Sequence, residues 1–210
     1  MDRRDVEACY DAVAQSYADR FTHELDGKPF DRVWLDRFAA LTHGRGRVYD
    51  LGCGPGQVAA ALQERGVDVV GADLSPAMVV EACRFHPAVP FERQDMLALT
   101  IPPGSLAGVV AFYAIVHFTL DEVDVSAREI CRVLQPGGHI LLAFHAGEGT
   151  VHVDDFLGHP VTMDFAFFQP DDIVSRLEAA GLRVEEVTMR DPYPDIEAPT
   201  RRAYILAVKP

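Results

Sequence analysis

Apolar positions along this 210-residue chain fall into short β-branched runs, separated by stretches in which they recur at helical spacing. Val48-Tyr49-Asp50-Leu51 predicts a first strand ending at glycines. Gly56 to Arg65 predicts a helix with Val58, Ala61 and Leu62 on one face and Gly66 as its stop. A second buried strand is expected over Val67 to Gly71, then a helix from Pro76 to Phe85 with Ser75 as its N-cap. Ala88 to Glu92 predicts a third strand. Gly108 to Tyr113 predicts a fourth, apolar throughout as a central parallel strand is. Asp121 to Leu134 turns Val125, Ile130, Val133 and Leu134 inward, Pro136-Gly137-Gly138 breaks that helix, and His139 to Phe144 predicts a fifth strand. Asp171 to Ala180 reads as a last helix. Leu182 to Met189 and Ala203 to Val208 read as two last strands, an antiparallel pair at the sheet edge.

Strands alternating with helices imply an α/β fold, a parallel sheet covered on both faces. The length suits one domain, 1–210. Two segments stand outside the alternation. Residues 5–43 predict one or two helices before the first strand. Residues 146–168 form an insertion after the fifth, in which Val161, Met163, Phe165 and Phe167 alternate with Thr162, Asp164 and Ala166 as on a strand with one apolar face.

The most informative segment is Asp50-Leu51-Gly52-Cys53-Gly54-Pro55-Gly56, between a strand and a helix. Glycines there permit a tight turn and close approach of a ligand to the backbone, at the strand ends where open parallel sheets bind ligands. The spacing is Gly-x-Gly-x-Gly, with Gln57 where a dinucleotide fingerprint needs its third glycine. Asp50 would repel a pyrophosphate and suits a cationic amino group. Asp73 ends the second strand, placed to accept from both hydroxyls of a ribose. Together these describe a nucleoside carrying positive charge, and they disfavour a nicotinamide site.

At these residues the chain resembles the class I S-adenosylmethionine-dependent methyltransferases. Val48 to Gly56 is similar to that family's glycine-rich first motif and Gly71-Ala72-Asp73-Leu74-Ser75 to its acidic second motif. Gln94-Asp95-Met96 resembles the adenine-edge motif and Leu134-Gln135-Pro136-Gly137-Gly138 the turn before the fifth strand. Tyr10 to Tyr17 resembles the N-terminal cofactor-covering helix. The resemblance implies a Rossmann-like seven-stranded, mostly parallel sheet in order 3-2-1-4-5-7-6, strand 7 antiparallel. It implies S-adenosylmethionine as cofactor and S-adenosylhomocysteine as product. Asp50 would hold the methionine amino group, with Gly52, Cys53 and Gly54 at the methionine portion and the Phe112 carbonyl nearby. Asp73 would bind the ribose and Leu74 the adenine face. Asp95 would accept from the adenine amino group, and the Met96 amide would donate to the ring. Tyr10 and Tyr17 would cover the cofactor, although packing with Val13 and Phe21 explains them equally well. Asp73 as a helix cap and Asp95 as an ordinary loop acid are the plainer alternatives.

If the acceptor carries a proton, a base near neutral pH helps, and histidine is best matched. His117, after the fourth strand, and His145, at the end of the fifth, are the candidates, with Tyr113 to orient the acceptor. Each histidine also fits a structural loop role. In the insertion, Phe156, Met163, Phe165, Phe167 and Phe168 either line an apolar acceptor pocket beneath a lid or pack the lid down. His145, His152 and His159, with Glu148, Asp154 and Asp155 nearby, lack the spacing of a metal site, and none is expected.

Composition narrows the partners. Acidic residues number 32 against 19 Lys plus Arg, a net charge of -13, with no basic face for nucleic acid. The longest nearly apolar run, Leu106 to Val116, is far short of a membrane span, and no secretory h-region is visible. Cys9, Cys53, Cys83 and Cys131 form no Cys-x-x-Cys pair, so a reducing, cytoplasmic setting is expected. The expected partner is a small-molecule acceptor, the protein being a monomer or homodimer. A non-catalytic cofactor-binding module is the alternative.

Overall fold

A computed structural model describes residues 2–210. Helix α1 (Arg3–Phe21) starts at Asp2, whose side chain accepts from the Arg4 amide. A short 3-10 turn (Glu24–Gly27) leads to α2 (Pro29–Thr42), with proline in its first turn. The alternation then begins: β1 (Arg47–Leu51), α3 (Gln57–Glu64), β2 (Val69–Asp73), α4 (Pro76–Phe85), β3 (Phe91–Arg93) and β4 (Leu106–Phe112). It continues through α5 (Leu120–Val133) and β5 (Leu134–Ala146), the hairpin β6 (Thr150–Val153) and β7 (Met163–Ala166), then α6 (Pro170–Ala179), β8 (Arg183–Arg190) and β9 (Arg201–Val208).

The main sheet runs β3-β2-β1-β4-β5-β9-β8. With the hairpin set aside, this is the order 3-2-1-4-5-7-6. β9 is antiparallel to both its neighbours and β1 to β5 are parallel. Helices α2 and α3 cover one face, burying Leu35, Phe38, Val58 and Leu62 against Val48, Val110 and Leu141. Helices α5 and α6 cover the other, burying Ile130, Val133, Ile173 and Leu177 against Val109, Ile140 and Ile205. β4 is buried along its whole length, as its unbroken apolar run requires.

Some boundaries differ from the sequence pattern. β2 runs to Asp73, two residues further than expected, which carries that carboxylate to the strand tip. β3 shrinks to three residues because Ala88 and Val89 lie in a turn. β5 absorbs the Pro-Gly-Gly turn: the Gly137 amide donates to the Lys209 carbonyl and the Lys209 amide to the Gly138 carbonyl. The inward face of α5 is Val123, Ala127, Ile130 and Val133, leaving Val125 half-buried. Thr119 and Glu122 form a reciprocal capping box there. Ser75 caps α4 as expected, accepting from the Met78 amide at 3.1 Å.

The first helix and the insertion come together away from both sheet cores. Val13 and Ala14 of α1, Met78 of α4, and Val161 and Met163 of the hairpin segment form a third apolar cluster. Asp11 ties α1 to α4 by accepting from Ser75 Oγ at 2.5 Å and the Ala77 amide at 3.1 Å. No helix among the described residues is long and apolar enough to cross a membrane. All four cysteines are free thiols.

Candidate active site

A cavity of about 1060 Å³ opens over the carboxyl ends of the parallel strands. Its floor is the β1 turn and the tips of β2 and β4. Its walls are α1, the 3-10 turn, the β6–β7 hairpin and the 195–200 segment before β9.

At the floor, Gly52 has φ +69°, and a Cβ there would lie 2.5 Å from Ala114 Cβ, so both conformation and space demand glycine. Asp50 is 1% exposed, and its Oδ2 has no hydrogen-bond partner. Burial, resisted by the Ala59 amide and helped by Asp73, pushes the Asp50 carboxyl up to about 8. An orphaned, buried carboxylate oxygen on a ligand cavity is a receptor for a cation. Asp73 accepts from the Gly54 amide (Oδ2, 2.9 Å) and the Ser75 amide (Oδ1, 2.9 Å). Ser75 itself caps α4, so Asp73 is not the cap. Each Asp73 oxygen keeps a second lone pair for a ligand hydroxyl. Burial raises its pKa, against the amides of Ser75, Gly54 and Leu74.

Cys53, Gly54, Leu74, Met96 and Phe112 also line this end. Burial and the charges of Asp50 and Asp73 push the Cys53 thiol well up, which leaves it inert. Asp95 does not line the cavity. Its Oδ1 holds Arg3 at 2.5 Å and the Leu97 amide at 2.9 Å. The residues present fit S-adenosylmethionine: a partnerless buried carboxylate for the amino group, a side-chain-free turn, and a strand-tip acid for the ribose.

Tyr10 and Tyr17 both line the cavity, their rings 5.9 Å apart. His117 Nδ1 lies 2.7 Å from the Asp164 carbonyl, to which it donates. Its Nε2 therefore accepts from the Tyr10 hydroxyl at 2.8 Å. The neutral ring joins α1, the β4 loop and β7, and as placed it has no lone pair left for an acceptor proton. Burial lowers its pKa, which keeps this pattern intact. Replacing His117 with Ala leaves the Tyr10 hydroxyl and Asp164 carbonyl partnerless. We expect a loss of about 1–3 kcal/mol of stability, read from denaturant unfolding; an unchanged midpoint would show that the ring ties nothing together.

Tyr113 follows β4 with φ +57°, a strained conformation for a tyrosine, and its hydroxyl lies 3.5 Å from that of Tyr204. His145 faces it, ring centroids 5.1 Å apart, and its Nδ1 lies 2.7 Å from Thr200 Oγ1. Burial, Arg202 and Lys28 hold His145 down to about 4. Of the insertion aromatics, Phe156, Phe165 and Phe167 line the cavity. Met163 and Phe168 are buried in packing. His152 bonds Asp164 and Asp154, and His159 bonds Ser16, so His145, His152 and His159 have separate partners. Among the described residues no group of three or more metal-ligating side chains comes together.

Sequence reasoning missed the wall beside His145. Lys28 and Arg202 are both buried, although 174 positions apart. An arginine pair opening an otherwise apolar strand, Arg201-Arg202-Ala203-Tyr204-Ile205-Leu206, was the available signal.

Comparison with known proteins bears on the family and the fold. Residues 48–138 match a family model described as a methyltransferase domain. A demethylmenaquinone methyltransferase of Beutenbergia cavernae is 33% identical over 146 residues, covering 68% of this chain and 58% of that protein. The chain spans about half the length of the curated relatives it matches first. A ubiquinone biosynthesis O-methyltransferase of Pseudomonas aeruginosa is 27% identical over 198 residues, covering 86% and 83%. The structure of magnesium protoporphyrin IX methyltransferase from Synechocystis, with bound S-adenosylmethionine, matches at a TM-score of 0.73 and 17% identity, covering 100% of this chain and 98% of that one.

Proposed function

This chain belongs to the class I S-adenosylmethionine-dependent methyltransferases, and from that premise we propose that it methylates an O, N or C centre of a small aromatic or apolar metabolite. The observation that carries the reading is the continuity of one cavity. Its floor has the acid pair Asp50 and Asp73, and its far wall has Tyr113, His145 and the hairpin aromatics. The relatives' names, one for demethylmenaquinone and one for ubiquinone biosynthesis, support a planar ring acceptor.

When bound, the cofactor supplies an activated methyl: an acceptor lone pair forms the new bond to carbon as the sulfur–carbon pair returns to sulfur. The chain's own residues align and shield. Asp50 anchors the amino group, Asp73 the ribose, Leu74 and Met96 the adenine. Residues 5–43 cover the cofactor and 146–168 roof the acceptor within one domain. His117 acts as a positioning residue, since both its nitrogens are engaged. Tyr113 and His145 face the acceptor.

Titration calorimetry should give micromolar-range binding of S-adenosylhomocysteine. Incubation with methyl-labelled S-adenosylmethionine and a panel of phenols, hydroquinones, indoles, amines and carboxylic acids should label at least one class. Tight cofactor binding with no transfer to any class, and a crevice beside the sulfur that stays closed in a co-crystal, would instead identify a binding module.

A further inference from the structure

The hydrogen bonds around His145 fix which of its nitrogens carries the proton. Thr200 Oγ1 receives Arg202 Nη1 at 2.7 Å and lies 2.7 Å from His145 Nδ1. Among the described residues that hydroxyl has no other protein acceptor for its own hydrogen, and donation to Nδ1 satisfies it; the opposite direction would leave that hydrogen to solvent. The neutral ring then carries its proton on Nε2, the nitrogen with no protein partner, on a residue that lines the cavity. His145 therefore offers a donor to the acceptor compartment and no lone pair.

Two cations stand beside it. Arg202 pairs with His145 across the β5–β9 ladder, its side chain 3% exposed. Its Nη1 is spent on the carbonyls of Ala198 and Thr200 and on Thr200 Oγ1, while Nη2 has no hydrogen-bond partner among the described residues. Lys28 Nζ lies 5.1 Å from the Tyr113 ring centroid and Arg202 Cζ 5.9 Å from it. Glu197 faces both cations, its Oε1 3.6 Å from Lys28 Nζ and 3.6 Å from Arg202 Nε, but its hydrogen bonds come from elsewhere. Glu197 takes two bonds from Arg190 and one from the Tyr193 amide. Glu24 takes Lys28 and Gln57, and Asp31 takes Arg190 and Tyr204. Burial first, then the charges of Arg202 and Lys28, lower the pKa of His145 against the opposing charge of Glu197. Toward the cavity this corner presents His145 Nε2–H and Arg202 Nη2 as donors; the unpartnered Asp31 Oδ2 is fully buried and does not line the cavity.

Resting on the methyltransferase reading, we propose that the acceptor binds here as an oxyanion, its ionised oxygen held by His145 Nε2–H and Arg202 Nη2 and drawn by Lys28. Such an acceptor is an acidic phenol, an enol or a carboxylic acid. It has no proton to lose at transfer, so the site needs no general base. The site favours anions over isosteric neutral molecules and over protonated amines.

The test uses the full chain saturated with S-adenosylhomocysteine, and 4-nitrophenol against 4-nitroaniline as probes. Phenolate absorbance reports ionisation directly. We expect the bound phenol's ionisation midpoint to fall by about one pH unit or more, a tenfold preference for the anion, with 4-nitroaniline binding at least tenfold more weakly. Lys28→Met and His145→Phe should each reduce the shift while product binding stays within threefold. Nitrogen NMR of His145 should show the Nε2-protonated tautomer. An unmoved or raised midpoint, equal binding of both probes, failure of 4-nitrophenol to bind at millimolar concentration, a shift surviving in both variants, or an Nδ1-protonated ring would each overturn the proposal. Methyl transfer to neutral rings without anion preference would overturn it while leaving the enzyme reading intact. Failure of the product to bind, measured before any probe is added, would instead strike that reading.

Discussion

Asp50→Asn will weaken S-adenosylhomocysteine binding on the order of a hundredfold, roughly 3 kcal/mol, and will raise thermal stability in alkaline buffer. The two effects have one cause. Asp50 is buried with an oxygen that nothing in the protein satisfies, and its carboxyl is pushed up to about 8, mainly by burial. In an unfolded chain it would titrate near 3.9. Folding therefore disfavours the ionised form, and Asp50 costs increasing stability as pH climbs from about 4 through 8. Asparagine carries no charge, so its benefit is greatest above pH 8 and vanishes below about 4. A ligand ammonium reverses the preference by stabilising the carboxylate. Near pH 7 the wild type should release close to one proton on binding, and its affinity should rise with pH up to about 8. Calorimetry in two buffers of different ionisation heat counts that proton. No release, together with unaltered affinity in the variant, would mean that the cation lies elsewhere.

Asp73→Ala should reduce affinity by about ten- to a hundredfold, the worth of hydrogen bonds to a charged group. Part of this loss is indirect, because Asp73 also holds the Gly54 amide and so the turn itself. An analogue lacking the ribose 2′-hydroxyl separates the parts. It should bind about tenfold more weakly than S-adenosylhomocysteine to the wild type and equally well to the variant. If the penalty for the missing hydroxyl persists in Asp73→Ala, the ribose is held by another group.

Local patterns carried the sheet. The continuous apolar run of β4, the Ser75-Pro76 helix start and the Asp50-to-Gly56 turn are each decided within a few residues, so they were legible. The floor of the site followed for the same reason, since Asp50, Gly52, Gly54 and Asp73 sit at fixed offsets from strand ends. Asp95 sat in the right motif, but nothing local announced that Arg3, 92 positions away, would take one of its oxygens. The two histidines looked alike along the chain. Only tertiary contacts separate them: His117 is consumed by Tyr10 and the Asp164 carbonyl, while His145 meets Thr200 alone. Lys28 and Arg202 were invisible for the same reason. A buried cation is recognisable only once its distant partners surround it.

The packing of α1 has a consequence for traffic. That helix rests on α4 and the hairpin through its own small apolar patch, separate from the two cores that hold the sheet. Its other ties are polar, among them Arg3 to Asp95, Glu7 to Arg93 and Tyr10 to His117. Local opening of that helix would therefore break few contacts with the two sheet cores. If that helix covers the bound nucleoside as proposed, doorway and workbench would be different cooperative units, and the amides of α1 should exchange with deuterium well ahead of those of β4.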